Sequence, residues 1–299
     1  MRRFPPRRIL VAADLSGPSL SAIEAGKALA LRWGAALEIV HVQHPPLVAA
    51  WAGFDGMPAS VRSSTHETRR KIEERLRRAA GDFPVERLKL VMVHGWPQTE
   101  LQELARPDRA DLMVMGTHGY GGLDRMLAGS VSEGVLRRAR IPVLVVPEKK
   151  AVAGASRILA PWNGRPYATR ALRWARELAR SLGSTLDVLY VNEFGAPIEK
   201  DEAMCRRLVT ALGTGPDWTL RKRGGDARAR IAAEANSGRY ELVVLSAHRR
   251  ARPADLVLGS TVERVLRRSS VPVLAVPTGR PRSRLVRRLA ARAGARLFS

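Results

Sequence analysis

The chain has 299 residues, of which 45% are hydrophobic and 5% aromatic, and its one cysteine is Cys205. This length suits two ordinary domains with aliphatic cores, and a single thiol excludes both a disulfide framework and a multi-thiolate metal site. The formal net charge of +23 favours anionic partners in general, but it does not choose among nucleic acid, anionic lipid and polyphosphates.

Short aliphatic runs alternate with helical patterns along the first half of the chain. The run lengths favour parallel strands buried on both faces, and the alternation predicts right-handed βαβ units in a doubly wound sheet. Strands are predicted at residues 8–14, 36–42, 87–93, 111–115 and 141–146. Helices are predicted at residues 18–33, 61–80, 97–106 and 130–139. Ligands of such sheets bind outside the carboxyl ends of the strands.

The second half repeats the first in the same order. RRILVAADLSG at 7–17 matches SRILAPWNGRP at 156–166, and IPVLVVP at 141–147 matches VPVLAVP at 271–277. Early matches are offset by 149 residues and late ones by 130, so the second half is shorter by 19 residues. We assign most of this difference to segment 43–60 of the first half, which would form a lid or a surface loop. The repeated strands are predicted near residues 157–161, 185–191, 217–223, 241–245 and 271–276.

The predicted fold class is therefore α/β, with two tandem doubly wound, Rossmann-like domains that each hold a five-stranded parallel sheet. The domains span residues 1–148 and 149–278, with the linker at 148–156, and a basic tail follows at 279–299. The fifth strand of each domain is an edge that must be covered, so we expect these two strands to pair within the chain. Pro142 and Pro272 stand at the strand starts, where a missing N–H is tolerated. The sequence leaves further homodimerisation open.

No apolar run approaches the length that spans a bilayer, and the basic N-terminus runs straight into the first predicted strand. We therefore expect no transmembrane segment and a soluble cytoplasmic protein.

A glycine-rich stretch, GTHGYGGLDRMLAGS at 116–130, follows a predicted strand and precedes a predicted helix. Backbone N–H groups at a helix start favour an anion, and glycines let the chain approach phosphate oxygens. The positions of greatest weight are Gly116, Gly119 and Gly129, with the hydroxyls of Ser130 and Ser132 as extra donors. The stretch is neither a P-loop nor a GxGxxG fingerprint, and a merely tight turn is the alternative.

Ser130 and Glu133 also have the spacing of a capping box, and STVE at 260–263 keeps that spacing in the second copy. The box is therefore expected in both copies and does not discriminate a phosphate site from a simple turn.

The spacing Gly116-x2-Gly119-x9-Gly129-Ser130 resembles the ATP-binding signature of the universal stress protein family. The resemblance extends to ILVAADLS at the first strand, HV at the end of the second and GSVSEGVLRRARIPVLVVP at the end of the domain. It covers essentially both halves, so the chain looks like a tandem member with an ATP-binding first domain.

The resemblance implies a role for each matching residue. Asp14, preceded by Ala12 and Ala13, would contact the adenosine end of ATP, although an acid there also suits a helix cap. The backbone of Val42 would meet adenine and Met115 would lie under the nucleoside, although both also suit a buried core.

On the phosphate side, His118 would lie beside the phosphates, and Arg125 would pair with their oxygens. Val131 would contribute its backbone N–H. An exposed loop position remains the alternative for His118 and Arg125. Any Mg²⁺ or Mn²⁺ would be bound mainly by the triphosphate, since the sequence shows no convergent carboxylate cluster. The lack of such a cluster also weakens the case for rapid ATP hydrolysis.

The second half departs from this pattern where the signature is most specific. Asn163 replaces the acid, Arg165 replaces Ser16, and Ser246 and Arg249 replace the first two glycines, whereas Gly259 and Ser260 remain. We interpret the second copy as a structural partner of a nucleotide-binding first copy. The rival interpretation is that HRRAR at 248–252 binds a different anion.

The sequence is compatible with three functions. The leading one is a stress-response binding module in which ATP occupancy changes the surface offered to an unidentified protein partner, and no catalytic constellation stands out. The alternatives are a slow ATPase of the same fold, and a non-specific associate of nucleic acid or an anionic membrane surface through the seven arginines of the basic tail.

Overall fold

The computed structural model describes residues 4–43, 59–117, 130–193, 198–215, 217–247, 249–250 and 257–277. The basic tail and most of segment 43–60 therefore lie outside the described residues. In the first half the elements are β1 (Arg8–Ala12), α1 (Gly17–Trp33), β2 (Ala36–Gln43), α2 (Ala59–Ala80), a 3₁₀ turn (Val85–Arg87), β3 (Leu88–His94), α3 (Pro97–Leu104), β4 (Leu112–Gly116), α4 (Ser130–Arg138) and β5 (Val143–Val146).

The second half repeats this order and contains a short hairpin. Its elements are β6 (Arg157–Pro161), α5 (Pro166–Leu182), β7 (Thr185–Asn192), α6 (Ile198–Leu212), β8 (Trp218–Gly224), α7 (Ala227–Ala235), β9 (Leu242–Ala247), β10 (Arg249–Arg250), β11 (Val257–Leu258), α8 (Ser260–Arg268) and β12 (Val273–Pro277). Each predicted strand and helix is present, with ends that differ from the prediction by at most two residues.

The strands of both halves form one continuous ten-stranded sheet in the order β3-β2-β1-β4-β5-β12-β9-β6-β7-β8. All neighbours are parallel except β5 and β12, which pair antiparallel with Leu144 opposite Leu274. Each half is thus the predicted five-stranded parallel sheet, and the expected edge pairing within the chain joins the two halves.

Helices cover both faces of the sheet, so the strands are buried on both sides. Ile9 and Val11 point into a core layer with α1, α2, α5 and α6, whereas Leu10 and Ala12 point into the opposite layer with α3, α4, α7 and α8. This double burial explains why the strand sequences are continuous apolar runs. In the described part of the chain, no helix combines the length and apolar character that crossing a membrane requires.

An ion pair between Arg267 and Glu133 crosses the junction between the halves, and α4 and α8 each hold an equivalent pair within the helix. The Arg267 guanidinium lies 3.0 Å from Glu133 of α4 and 3.1 Å from Glu263 of its own helix, and Arg137 lies 3.7 Å from Glu133. The predicted capping box of the second copy is wrong, because Gly259 is the N-cap of α8 and no side chain caps that end. Glu133 and Glu263, the glutamates of the two capping-box sequences, instead bind an arginine one turn later in the same helix, and Glu133 also binds Arg267 across the junction.

A buried polar cluster distinguishes the second copy from the first. Asp187 Oδ2 accepts hydrogen bonds from Arg221 Nε at 2.5 Å and from the Tyr240 hydroxyl at 3.0 Å. Nearby, Glu234 Oε1 accepts from Arg223 Nε at 2.7 Å. At the equivalent first-copy positions, Glu38 is polar, whereas the other four residues are apolar, namely Val91, Val93, Leu104 and Ala110. The two halves therefore share their backbone fold but differ in the polarity of the side chains in this layer.

Because this cluster contains Tyr240, we expect the free energy of unfolding to fall at alkaline pH. Burial, and then its hydrogen bond to Asp187, raises the pKa of this phenol from 10.0 to about 12. A raised folded-state pKa contributes stability that is complete below pH 10 and is lost as pH rises towards 12. We therefore expect the free energy of unfolding to fall by about 2–3 kcal/mol across this window. Urea unfolding of wild type and Tyr240→Phe at pH 9 to 12 checks this, because the two curves should converge with rising pH; parallel curves would contradict it.

Candidate functional site

The turn between β1 and α1 places Asp14 at the carboxyl edge of the first half. Asp14 Oδ1 accepts hydrogen bonds from the Ser16 amide at 3.0 Å and from the Ser16 hydroxyl at 2.5 Å. Ser16, not Asp14, is the N-cap residue of α1, so the carboxylate orders the turn and does not cap the helix. Asp14 is partly exposed, and no described residue hydrogen-bonds its Oδ2. Among the described residues, the two carboxylate oxygens of Asp14 therefore differ, since only Oδ1 has a hydrogen-bond partner.

Neighbouring strands hold the backbone before Asp14. The Ala13 amide donates to the Val40 carbonyl at 2.8 Å, and His41 Nδ1 lies 2.8 Å from the Ala13 carbonyl oxygen. Ala12 pairs with Met115 across β1 and β4. The sequence prediction did not include His41, although the HV pair that ends β2 was part of the resemblance.

Leu15 adopts an unusual backbone conformation in the same turn. Its φ is +66° although it is not glycine, and its side chain is buried. A non-glycine residue in this region costs on the order of 1–3 kcal/mol, a strain that clusters at functional turns. Gly164, its second-copy equivalent, has φ +73°. The two copies therefore form the same turn, and only the first copy forms it under strain.

An apolar wall lies beside Asp14 on one face of the sheet. Met115 is buried and packs in the layer that also contains Ala12, and Val42 and Val131 pack against that layer while remaining partly exposed. The structure thus brings together residues that are distant in sequence, and the roles that the resemblance implies for them stay predictions. Their place at the sheet edge suits the flat apolar face of a nucleoside.

Gly116 is required first of all by helix packing. A Cβ at this position would lie 2.8 Å from the Pro18 carbonyl carbon and 2.9 Å from the Ser19 amide nitrogen. Both atoms belong to the backbone of α1, which has little freedom to move away. The sequence analysis assigned Gly116 to phosphate approach, with a tight turn as the alternative, and the close contact of α1 with β4 is a reason that only the structure supplies.

The two ends of the glycine-rich stretch meet at this edge. The Ser132 hydroxyl donates to the Thr117 carbonyl at 3.4 Å, and both side chains are buried. In this structure Ser132 therefore joins the end of β4 to the start of α4, and its predicted role as a phosphate donor stays a prediction. His118, Gly119, Arg125 and Gly129 lie outside the described residues, as does the side chain of Ser130, the first residue of α4.

The second copy has different contacts at the same edge. Asn163 Oδ1 accepts from the Arg165 amide at 3.2 Å, so the turn persists, but Asn163 Nδ2 donates to the Tyr167 hydroxyl at 3.0 Å. Further along, β10 and β11 pair antiparallel, with Arg249 opposite Leu258. A hairpin thus follows β9 where the first copy has its glycine-rich stretch. The negative charge is lost and the equivalent amide is already bonded.

A sequence model of the universal stress protein family matches residues 5–147 and 195–277. The chain belongs to the universal stress protein family. The second matched segment ends with β12, so this universal stress protein carries two family domains in tandem.

Relatives of this universal stress protein agree with that assignment. One from Methanocaldococcus jannaschii is 31% identical over 149 residues, which cover 48% of this chain and 84% of that protein. Another from Mycolicibacterium smegmatis is 29% identical over 296 residues, which cover 92% of this chain and 97% of that protein. A crystal structure of a universal stress protein from Archaeoglobus fulgidus matches with a TM-score of 0.73 at 21% identity, covering 92% of this chain and 100% of that chain. This last likeness shows a shared fold.

Proposed function

We propose that the first copy binds ATP at the carboxyl edge of β1 and β4, and that the second copy is its structural partner. The observation that carries the proposal is the contrast between Asp14 and Asn163 in the same turn. Asp14 keeps a carboxylate oxygen that no described residue bonds, whereas the Asn163 amide is bonded to Tyr167. Where Asp14 presents the acceptor Oδ2, Asn163 has the donor Nδ2, which is already bonded to Tyr167.

The residues around Asp14 fit the parts of ATP. The Asp14 carboxylate suits the hydroxyls of the ribose, while Met115 and the backbone of Val42 suit the base and sugar faces. The first amides of α4, including that of Val131, suit the phosphates, and we assign the glycine-rich stretch to the same role. The proposed phosphate set is Gly116, His118, Gly119, Arg125, Gly129, Ser130, Val131 and Ser132. Mg²⁺ or Mn²⁺ would enter on the phosphates, where it would neutralise part of their charge.

ATP occupancy in this proposal alters a surface used by a protein partner during stress. The connection runs through α4, which begins where the phosphates would lie and reaches the other half through the Glu133–Arg267 ion pair. The hairpin strand β11 also contacts α4. A ligand at the start of α4 is thus placed to affect the junction of the two copies.

Nucleotide release is the first measurement. Denaturing the purified protein should free about one ATP or ADP per chain. Asp14→Ala should weaken ATP affinity at least tenfold, which corresponds to about 1.4 kcal/mol, and Gly119→Val should abolish retention. The matched control is Asn163→Ala, which changes the same turn of the second copy and should leave both measurements unchanged. No nucleotide on the protein, and no ATP binding by calorimetry in magnesium buffer, would contradict the proposal.

A time course of the bound nucleotide separates a binding module from a slow ATPase. We expect ATP to persist on the protein over hours at its working temperature. Release of ADP at a steady rate, abolished by Gly119→Val, would instead assign hydrolysis to this site.

A further inference from the structure

A cavity of about 540 Å³ opens in the second copy between α5 and α6. Trp162 lies in its wall together with Thr169 and Thr210, and the side chains of Arg170, Arg173 and Arg207 line it. We call it the arginine cavity after these three residues. Its volume falls within the range of small-molecule sites, about 300–1,000 Å³.

The arginine cavity is separate from the proposed ATP site and from its second-copy counterpart. Trp162 packs in the core layer of α5 and α6. Leu245, the equivalent of Met115, packs in the layer on the opposite face of the sheet, with α7 and α8. A ligand of the arginine cavity would therefore lie on the other side of the sheet from the face that the resemblance concerns.

The charge in the cavity is not balanced by described acids. Further along α5, Arg176 and Arg180 both bond Asp217, at 3.0 and 2.9 Å, and these guanidinium groups lower the pKa of that carboxyl. Arg170, Arg173 and Arg207 have no ion pair with any described carboxylate. Arg170 is partly buried, which confines its charge to the cavity wall. Arg173 and Arg207 are exposed, so three positive charges line one cavity that is open to solvent.

The first copy provides an internal comparison. At the positions equivalent to Arg170 and Arg173, helix α1 carries Ser21 and Glu24, and Glu24 forms an ion pair with Lys27 at 3.2 Å. Ala13 stands in place of Trp162. The concentration of arginines is therefore not a requirement of the fold, because the same helix folds without it in the other half.

We propose that the arginine cavity binds a small anion that carries two or more phosphate groups. Arg170 and Arg173 are three residues apart on one helix, so their Cβ atoms lie about 5–6 Å from each other, and Arg207 approaches from α6. Guanidinium groups bind phosphate oxygens in bidentate pairs, and a polyphosphate presents several such oxygens. Pro166 places the start of α5 in the cavity wall, where the helix dipole adds to the attraction.

Hydroxyl groups contribute less to the proposed recognition. Thr169 Oγ1 accepts from Trp162 Nε1 at 3.0 Å and donates to the Arg165 carbonyl at 3.2 Å. Its hydrogen is already used within the protein. Recognition therefore rests on the three guanidinium groups, and the ligand is selected by its charge.

The test uses inorganic tripolyphosphate as the probe and full-length protein carrying Gly119→Val, which closes the proposed ATP site. Calorimetry should detect about one tripolyphosphate per chain. Adding Arg170→Ala and Arg207→Ala should weaken binding at least tenfold. The control, Arg69→Ala with Arg75→Ala, removes the same charge from exposed positions on α2 and should change affinity less than twofold. Arg173→Gln provides a milder variant, expected to weaken binding about threefold or more, should the double variant fail to fold.

The outcomes discriminate between a site and general attraction. Equal weakening by both double variants, or no weakening by either, would overturn the proposal, as would the absence of binding at physiological salt. Replacing tripolyphosphate with ADP tests whether the site recognises phosphate groups alone or a nucleoside as well. Equal affinities would assign recognition to the phosphates alone, whereas tighter binding of ADP would include the nucleoside. Because every protein carries Gly119→Val, failure here leaves the ATP proposal for the first copy untouched.

Discussion

Asp187→Ala is expected to destabilise the second copy by about 3 kcal/mol or more. The Asp187 side chain is 4% exposed and bonds Arg221 and Tyr240. Removing one partner of a buried pair leaves a charge without compensation, which costs about 3–5 kcal/mol. A buried hydroxyl that loses its partner adds about 1–3 kcal/mol. Arg221 is 26% exposed, so water recovers part of this cost, and the expected loss can fall below the lower end of the sum, about 4 kcal/mol.

Glu38→Ala is the matched control because Glu38 is the first-copy equivalent of Asp187. Glu38 lies 3.8 Å from Lys89, and these side chains are 30% and 69% exposed. Such surface pairs contribute about 0–1 kcal/mol. Urea unfolding gives both losses, and hydrogen exchange of the β7 and β8 amides assigns the larger one to the second copy. Similar losses for the two variants would show that the buried cluster does not behave as an ion-pair network.

The second large effect is expected from Gly116→Ala. The added Cβ would meet the α1 backbone at 2.8–2.9 Å, so α1 must move away from β4. Overpacking of this kind costs about 1–3 kcal/mol, and a rigid backbone neighbour favours the upper end. The same movement displaces the Asp14 turn, so we expect ATP binding to fall at least tenfold together with stability.

The control for this change is Gly224→Ala. Gly224 is also the last residue of a strand, and no atom lies within 4 Å of the Cβ that alanine would add there. Its substitution should change the free energy of unfolding by less than about 0.5 kcal/mol. If Gly116→Ala proved equally mild, the proposed contact between α1 and β4 would be looser than the structure describes. Thermal unfolding and ATP calorimetry measure the two consequences separately.

Much of the fold follows from sequence patterns alone. The two IPVLVVP-like segments predicted β5 and β12 and also their pairing, because a parallel sheet with an uncovered apolar edge needs a partner strand. The candidate site could be anticipated in the same way, because the carboxyl ends of β1, β2 and β4 must meet at one edge. Asp14, Val42 and Met115 therefore converge, whatever their separation along the chain.

Other features required the tertiary structure, because they depend on contacts between segments that have no shared pattern. The capping-box spacing at Ser260 and Glu263 predicted a local bond, but Glu263 binds Arg267, whose guanidinium also reaches Glu133 in the other half. Asp187 and Tyr240 are 53 residues apart, and nothing in either segment indicates that they meet. Their bond forms only when the fold brings β7 and the segment just before β9 together.

The sequence by itself determined the duplication, the α/β class and the order of elements, and it predicted the edge of the sheet at which a ligand would bind. These properties depend on periodicity and chain connectivity, which can be read residue by residue. Only the tertiary structure decided why position 116 is glycine, which carboxylate oxygen of Asp14 bonds Ser16, and that Arg170, Arg173 and Arg207, which pair with no described carboxylate, line one cavity. Those properties depend on distances of a few ångströms between helices and strands, which no single segment encodes.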